Sequence, residues 1–278
     1  MAQISKIRSK VESYYPALTK SEKKVADYIL ANFEDIMYLS VTELAELASV
    51  GETTIFRFCK KLDFKGYPEF KLLIAQDIVN LEKVDESKSS SFTSIIKESI
   101  ITEVNECYQT LDEAVLGDAI DVLSHSERVF FFGIGSSGIT AMTAKERFMR
   151  IGFLTDVATD AHRMNMVSSV LSEKDTIVAF SLSGATSDVL ESLTIAKENG
   201  VNIIVATSYV KSPMTKVADL VLQTSGKSNL IEGGSLANSI SQLFIVDLFV
   251  TGITLLDKDQ TQLMREKTGR SILDKIVR

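Results

Sequence analysis

The sequence predicts an all-helical amino-terminal head joined to an α/β domain whose parallel sheet is covered by helices on both faces. Three observations carry this. The first 82 residues repeat apolar positions at helical spacing and nowhere alternate like a strand. The segment KVDESKSSS, Lys83 to Ser91, has no apolar face. Beyond it, short β-branched runs alternate with glycines and amphipathic segments. The expected organisation is a head over 1–82, a linker over 83–91 and a second domain over 92–278.

In the head, Val25, Ala26, Ile29 and Leu30 recur at helical spacing after a cap at Thr19 or Ser21. The stretch VTELAELASVGETTIFRFCKKLDFKGY then lays out as two short helices with a tight connection. Ser40 caps the first, which runs through Leu44 and Leu47; the chain turns near Ser49 to Gly51, and the second helix starts at Glu52. Ala45 leaves room for a crossing helix, Gly51 relaxes the turn, and Ile55, Phe58 and Leu62 face inward. The opposite face carries Thr53, Thr54, Arg57, Lys60 and Lys61, with Lys65 just beyond. Short polar groups and an arginine on the first turns suit base edges, and flanking lysines suit phosphates. An ordinary helical hairpin with a solvated basic face fits the same pattern.

Charge supports a local basic surface and excludes a global one. The net charge is −7, which argues against a protein that coats nucleic acid over its whole surface. From Thr53 to Lys71 the cations are Arg57, Lys60, Lys61, Lys65 and Lys71 against Asp63 and Glu69 only, whereas Glu22 to Glu52 is mostly acidic.

The wording of the head adds to its pattern. LTKSEKKVADYIL followed by SVTELAELASVGETTIFRFCKKLDFKGYPEFK closely resembles the helix-turn-helix of the RpiR family of bacterial sugar regulators. The resemblance implies DNA binding. One departure is Asp63, where that family more often has glycine.

After the linker, Phe92 to Leu123 reads as helix, followed by the apolar runs VFFF at Val129, TIVAF at Thr176, NIIVAT at Asn202 and DLVLQT at Asp219. VFFF leads into GIGSSG, Gly133 to Gly138, and then a helix. TIVAF leads into SLSGATSDVLESLTIAKENG, a second hydroxyl-rich turn entering a helix. Such turns let backbone N–H groups converge on an anion at the positive end of a helix. Side by side at the carboxyl edge of one sheet, they would form the usual ligand site of this architecture. Each turn alone is also what packing in a parallel sheet requires.

The pair GxGSS and SxSGxT resembles the sugar isomerase, or SIS, domain over about Phe92 to Asp257. That resemblance implies that Ser137, Ser181, Ser183 and Thr186 hold a sugar phosphate, with Ser136 adjacent. SLANSISQLFIVDLFV resembles the family's long closing helix, although Ser239 stands where such regulators often have arginine.

An isomerase of this kind needs a positioned acid or base. His162, in a helix-like segment, and Glu232, in the glycine-flanked run IEGGS, are the candidate ligand contacts, and neither makes a convincing base. Neither a Ser-His-Asp order nor a Cys/His metal spacing appears, so no cofactor and no metal are expected, and Cys59 and Cys107 are expected to be reduced. No stretch approaches about 20 uninterrupted apolar residues and the amino terminus has no secretory core, which predicts a cytoplasmic protein without a membrane partner. The expected protein is a regulator, not an enzyme, whose operator DNA affinity is controlled by a phosphorylated sugar. The expected assembly is a homodimer or a pair of such dimers, because one short helix touches too few bases to single out a site. The alternative is a sugar phosphate isomerase or lyase with a helical extension.

Overall fold

The computed structural model describes residues 6–82, 92–225 and 236–273. These residues fall into two compact units that divide between Ile95 and Ile96. The expected linker, 83–91, lies outside the described residues.

The first unit is helical throughout, with α1 at Lys6–Tyr14, α2 at Lys20–Ala31, α3 at Val41–Leu47, α4 at Glu52–Lys61 and α5 at Tyr67–Glu82. Two of the starts are set by reciprocal capping. Thr19, and not Ser21, caps α2 in exchange with Glu22, and Ser40 caps α3 in exchange with Glu43. Their apolar stripes converge on one core that includes Val25, Ile29, Leu44, Ile55, Phe58 and Phe70. Phe58 meets Phe70 edge to face at 5.9 Å. Burying such a side chain is worth about 1.5 to 3 kcal/mol, and this common core sets the crossing of α3 and α4.

The turn between α3 and α4 corrects one expectation. Gly51 has an ordinary φ of −85° as the cap residue of α4. The left-handed residue is Ser49, at φ 54°. Val50 N–H reaches back to Ala45 O at 2.8 Å and Ser49 N–H to Glu46 O at 2.9 Å. That double closure ends a helix within one residue and normally favours glycine at the left-handed position. The end of α4 repeats it: Asp63 is left-handed at φ 64°, with Phe64 N–H on Cys59 O at 2.9 Å and Asp63 N–H on Lys60 O at 3.0 Å. The glycine that the resemblance leads one to expect there is thus replaced at a position whose backbone explains the preference. Asp63 uses its side chain to accept from the Tyr14 hydroxyl at 2.9 Å.

Helix α6 at Phe92–Thr110 begins just before the division, and the second unit continues with α7 at Glu113–His125, β1 at Arg128–Phe132, α8 at Ser136–Arg150, β2 at Thr155–Ala158 and α9 at Ala161–Ser168. It continues with β3 at Asp175–Phe180, α10 at Ser187–Glu198, β4 at Asn202–Thr207, β5 at Leu220–Gln223, α11 at Leu236–Leu256 and α12 at Lys258–Leu273. The strands make one parallel sheet in the order β2-β1-β3-β4-β5. Strand β2 is not among the apolar runs. It is half-buried at the sheet edge, where TDVA pairs on one side only.

Alternate residues of β3 divide the interior. Val178 and Phe180 join the core beneath α7, α8 and α11, while Ile177 and Ala179 join the core beneath α9 and α10. The sheet is therefore covered on both faces. Helix α11 corrects the reading of apolar runs, because Ser239–Leu256 is long and apolar enough to cross a membrane by length and composition. In this fold it is a packing helix: Ile245, Val246 and Phe249 are buried in the core it shares with α7 and α8, and Asp247 pairs with Arg147 of α8. Cys59 and Cys107 are free and buried, and burial pushes the Cys59 thiol up to about 12.

Candidate functional site

Two surfaces carry the expected residues, one in each unit. On α4, Thr53, Arg57 and Lys60 are exposed, as is Lys65 beyond it. Arg57 meets no carboxylate among the described residues. Lys60 lies over the ring of Phe56 at 5.4 Å, and Phe56 itself is an exposed aromatic on this polar face.

Two members of the expected set do not belong to that surface. Thr54 is buried at 7% exposure, because its position turns toward the core with Ile55 and Phe58. Lys61 is half-buried and donates to Glu22 Oε2 at 2.9 Å, which ties the end of α4 to the start of α2. Burial pushes the Glu22 carboxyl up, but the Thr19 backbone N–H and the Lys61 ammonium outweigh it and hold it below the ordinary carboxylate value. Lys61 balances a buried carboxylate.

The second surface lies at the carboxyl edge of the sheet. In an order of 2-1-3-4-5, β1 and β3 are neighbours whose connections leave in opposite directions, and the crevice at their carboxyl ends is where ligands enter such sheets. Both hydroxyl-rich loops start there. Gly133, at the end of β1, has no room for a side chain, because an added Cβ would stand 2.5 Å from the Ser137 carbonyl oxygen. The first turn of α8 therefore lies directly on the strand end. It presents Ser136 exposed and Ser137 buried, with Gly135 as its cap residue.

The loop after β3 is shaped by its own hydroxyls. Ser181 Oγ accepts the Gly184 N–H at 3.1 Å and stands 3.4 Å from Thr186 Oγ1. Ser183 Oγ accepts the Ala185 N–H at 3.3 Å. Gly184 is left-handed at φ 58°, and a Cβ there would lie 2.1 Å from Ser212 Oγ. Thr186 caps α10 without a side-chain bond to the helix, so its hydroxyl is not spent on the helix end. Both loops thus bring N–H groups and hydroxyls to neighbouring strand ends, and their described residues, 133–138 and 181–186, include no lysine or arginine. Such a surface suits an anion held by direct hydrogen bonds.

His162 is exposed on the first turn of α9, after β2 and at the same edge of the sheet, and no described side chain orients its ring. Glu232 lies outside the described residues. Ser239 is half-buried near the start of α11. The largely apolar helix α11 also carries Gln242, whose Nε2 donates to Ser137 Oγ at 3.1 Å. The signal for it in the sequence is a polar residue one turn before the apolar Ile245 and Val246.

Comparison with known proteins agrees with both halves. The helix-turn-helix domain of the rpiR family matches residues 5–80 and the SIS domain matches residues 122–252. An uncharacterized HTH-type transcriptional regulator of Haemophilus influenzae is 33% identical over 100% of both chains. The HTH-type transcriptional regulator HexR of Escherichia coli is 30% identical, covering 99% of this chain and 97% of its own. Among solved structures, the Vibrio vulnificus NanR protein complexed with ManNAc-6P superposes with a TM-score of 0.91 over 98% of this chain and 100% of that one, at 22% identity. The molecule is a helix-turn-helix transcriptional regulator built on a SIS domain. It belongs to the RpiR family.

Proposed function

We propose that this regulator controls genes of sugar or amino-sugar catabolism, with α4 reading operator DNA and a phosphorylated sugar in the crevice between β1 and β3 setting its affinity for that DNA. The observation that carries the proposal is the convergence of two neutral, hydroxyl-lined helix starts on the switch point of the sheet. Ser137, Ser181, Ser183 and Thr186 are the phosphate contacts, with Ser136 beside them, and His162 and Glu232 are the candidate contacts for the sugar. NanR, which shares the fold, is described in complex with ManNAc-6P, and this makes a hexosamine phosphate the first compound to try.

Thr53, Arg57, Lys60 and Lys65 form the DNA surface. Two heads joined in a homodimer read a two-fold operator, because doubling the contacts at a fixed half-site spacing supplies the specificity one helix lacks. The protein acts in the cytoplasm, where its operator is. It does not turn its ligand over: His162 is exposed, and no described group orients it as a base. The ligand acts through unequal affinity for two arrangements of the heads, since equal affinity shifts nothing.

A thermal-shift screen of pentose, hexose and amino-sugar phosphates identifies the effector. A ligand at a hundredfold its dissociation constant adds about 2.7 kcal/mol of stability. Ser183→Ala then removes one donor to a charged phosphate and is expected to lower affinity about ten- to a hundredfold, with unliganded operator binding unchanged. Unchanged ligand affinity and operator response in that variant would show that this loop does not hold the phosphate. Steady conversion of the ligand by purified protein would favour an enzyme.

A further inference from the structure

We infer that Gln242 is a positioning residue for the phosphate: its buried amide occupies an acceptor position of the Ser137 hydroxyl and so leaves the single O–H of that hydroxyl to donate to the anion. The inference rests on the cradle proposed above. Ser137 is 6% exposed and Gln242 2% exposed, and the two come from α8 and α11. Nε2 donates to Oγ at 3.1 Å.

A serine hydroxyl carries one proton and two lone pairs, whereas a phosphate oxygen only accepts. A hydroxyl whose proton is already given to a protein carbonyl therefore has nothing to offer the ligand. Among the described residues, the amide of Gln242 is the one group bonded to Ser137 Oγ, and it is a donor. The Ser137 proton remains uncommitted. A neutral amide does this without placing a second negative group beside the anion and without the cost of a buried charge.

The placement of Gln242 is held from both sides. The Ser241 hydroxyl, one residue earlier, donates to Ser225 O at 2.9 Å, and Ile245 and Val246 are packed into the core. A buried polar side chain in such a helix needs a partner, and Ser137 supplies it. With the amide reversed, its oxygen would take the Ser137 proton and the cradle would lose a donor, so the two orientations predict opposite behaviour for an acidic replacement.

The test uses the full-length protein with inorganic phosphate as the probe, following the thermal midpoint against phosphate concentration. Ser137→Ala and Gln242→Met are each expected to weaken phosphate binding about tenfold, the loss of one charge-assisted donor, and the double variant to be no worse than either single one. Gln242→Glu is the sharper arm. At about pH 8 its carboxylate accepts the Ser137 proton and phosphate binding is lost; burial at this position and the neighbouring anion raise the introduced carboxyl above its ordinary value of about 4.3, so that as the pH falls to about 5 the protonated, isosteric carboxyl can donate and binding recovers toward that of wild type at the same pH. This recovery is a readout that a purely structural role would not give, and it keeps the test usable if Gln242→Met fails to fold. Wild-type phosphate affinity in Gln242→Glu at about pH 8, or losses that multiply in the double variant, would overturn the role of Gln242. Wild-type affinity in both Ser137→Ala and Ser183→Ala would instead remove the cradle, and this inference with it.

Discussion

On α4, Arg57 and Lys60 project into solvent, whereas the loops after β1 and β3 carry Ser136, Ser137, Ser181, Ser183 and Thr186 with no lysine or arginine in the set. Both surfaces are proposed to meet phosphate. The first uses mobile charge, which acts at a distance, steers a polyanion and is weakened by salt. The second uses fixed dipoles, which act only in contact and reward one geometry. A regulator needs both kinds, because its DNA partner must be found among very many similar sites and its small ligand must be told apart from other anions. Lys61 marks the boundary of the first kind, since its charge is turned inward to Glu22.

Salt separates the two surfaces most strongly. Between about 50 and 200 mM salt, operator affinity is expected to fall about a thousandfold, as for proteins with several phosphate contacts, while sugar phosphate affinity changes little. Fluorescence anisotropy for DNA and calorimetry for the ligand measure the two slopes; equal slopes would erase the distinction. Arg57→Ala comes next. It is expected to cost about 1 to 3 kcal/mol of discrimination between operator and random DNA and to leave ligand binding alone. Lys60→Ala should weaken both kinds of DNA alike and reduce the salt slope by about one.

Lys61→Ala is expected to behave differently from Lys60→Ala, lowering the stability of the head by about 1 to 2 kcal/mol through the stranded Glu22 carboxylate and leaving the salt slope for DNA nearly unchanged. A slope change equal to that of Lys60→Ala would return Lys61 to the DNA surface. The same pair sets a pH dependence. The Glu22 carboxyl lies below its ordinary value in the folded head, so its contribution is fully present above the unfolded carboxylate pKa of about 4.3 and is lost as pH falls through the lower folded value. Acid denaturation of the head should be shallower in Glu22→Gln; an identical acid limb would mean the pair does not matter. The smallest effect is expected at the turn. Ser49→Gly relieves a left-handed non-glycine residue and should raise the melting temperature of the head, by up to about 1 kcal/mol in stability, with the ligand response unchanged.

Local rules determined much of this molecule. Thr19 and Ser40 start their helices because a short side chain can reach a backbone N–H three residues on, and the core strands declare themselves by β-branched runs that no solvent-facing segment would carry. The two loops were legible for the same reason, since glycine and serine beside a strand end have few other uses. What the sequence could not order were choices between neighbours of similar character. Thr53 and Thr54 are adjacent threonines, and only the packing of α4 decides that the second is buried. Lys60 and Lys61 are adjacent lysines, and only Glu22, 39 residues away, decides that the second is paired. Strand β2 has no continuous apolar run because an edge strand buries one side and needs none. Gln242 and Ser137 are 105 residues apart and meet only because α11 packs on α8. Periodicity and capping are properties of a segment and are written in it. The direction in which a polar side chain finds its partner is a property of the packed fold, because burial and hydrogen bonding are settled between segments that the sequence keeps apart.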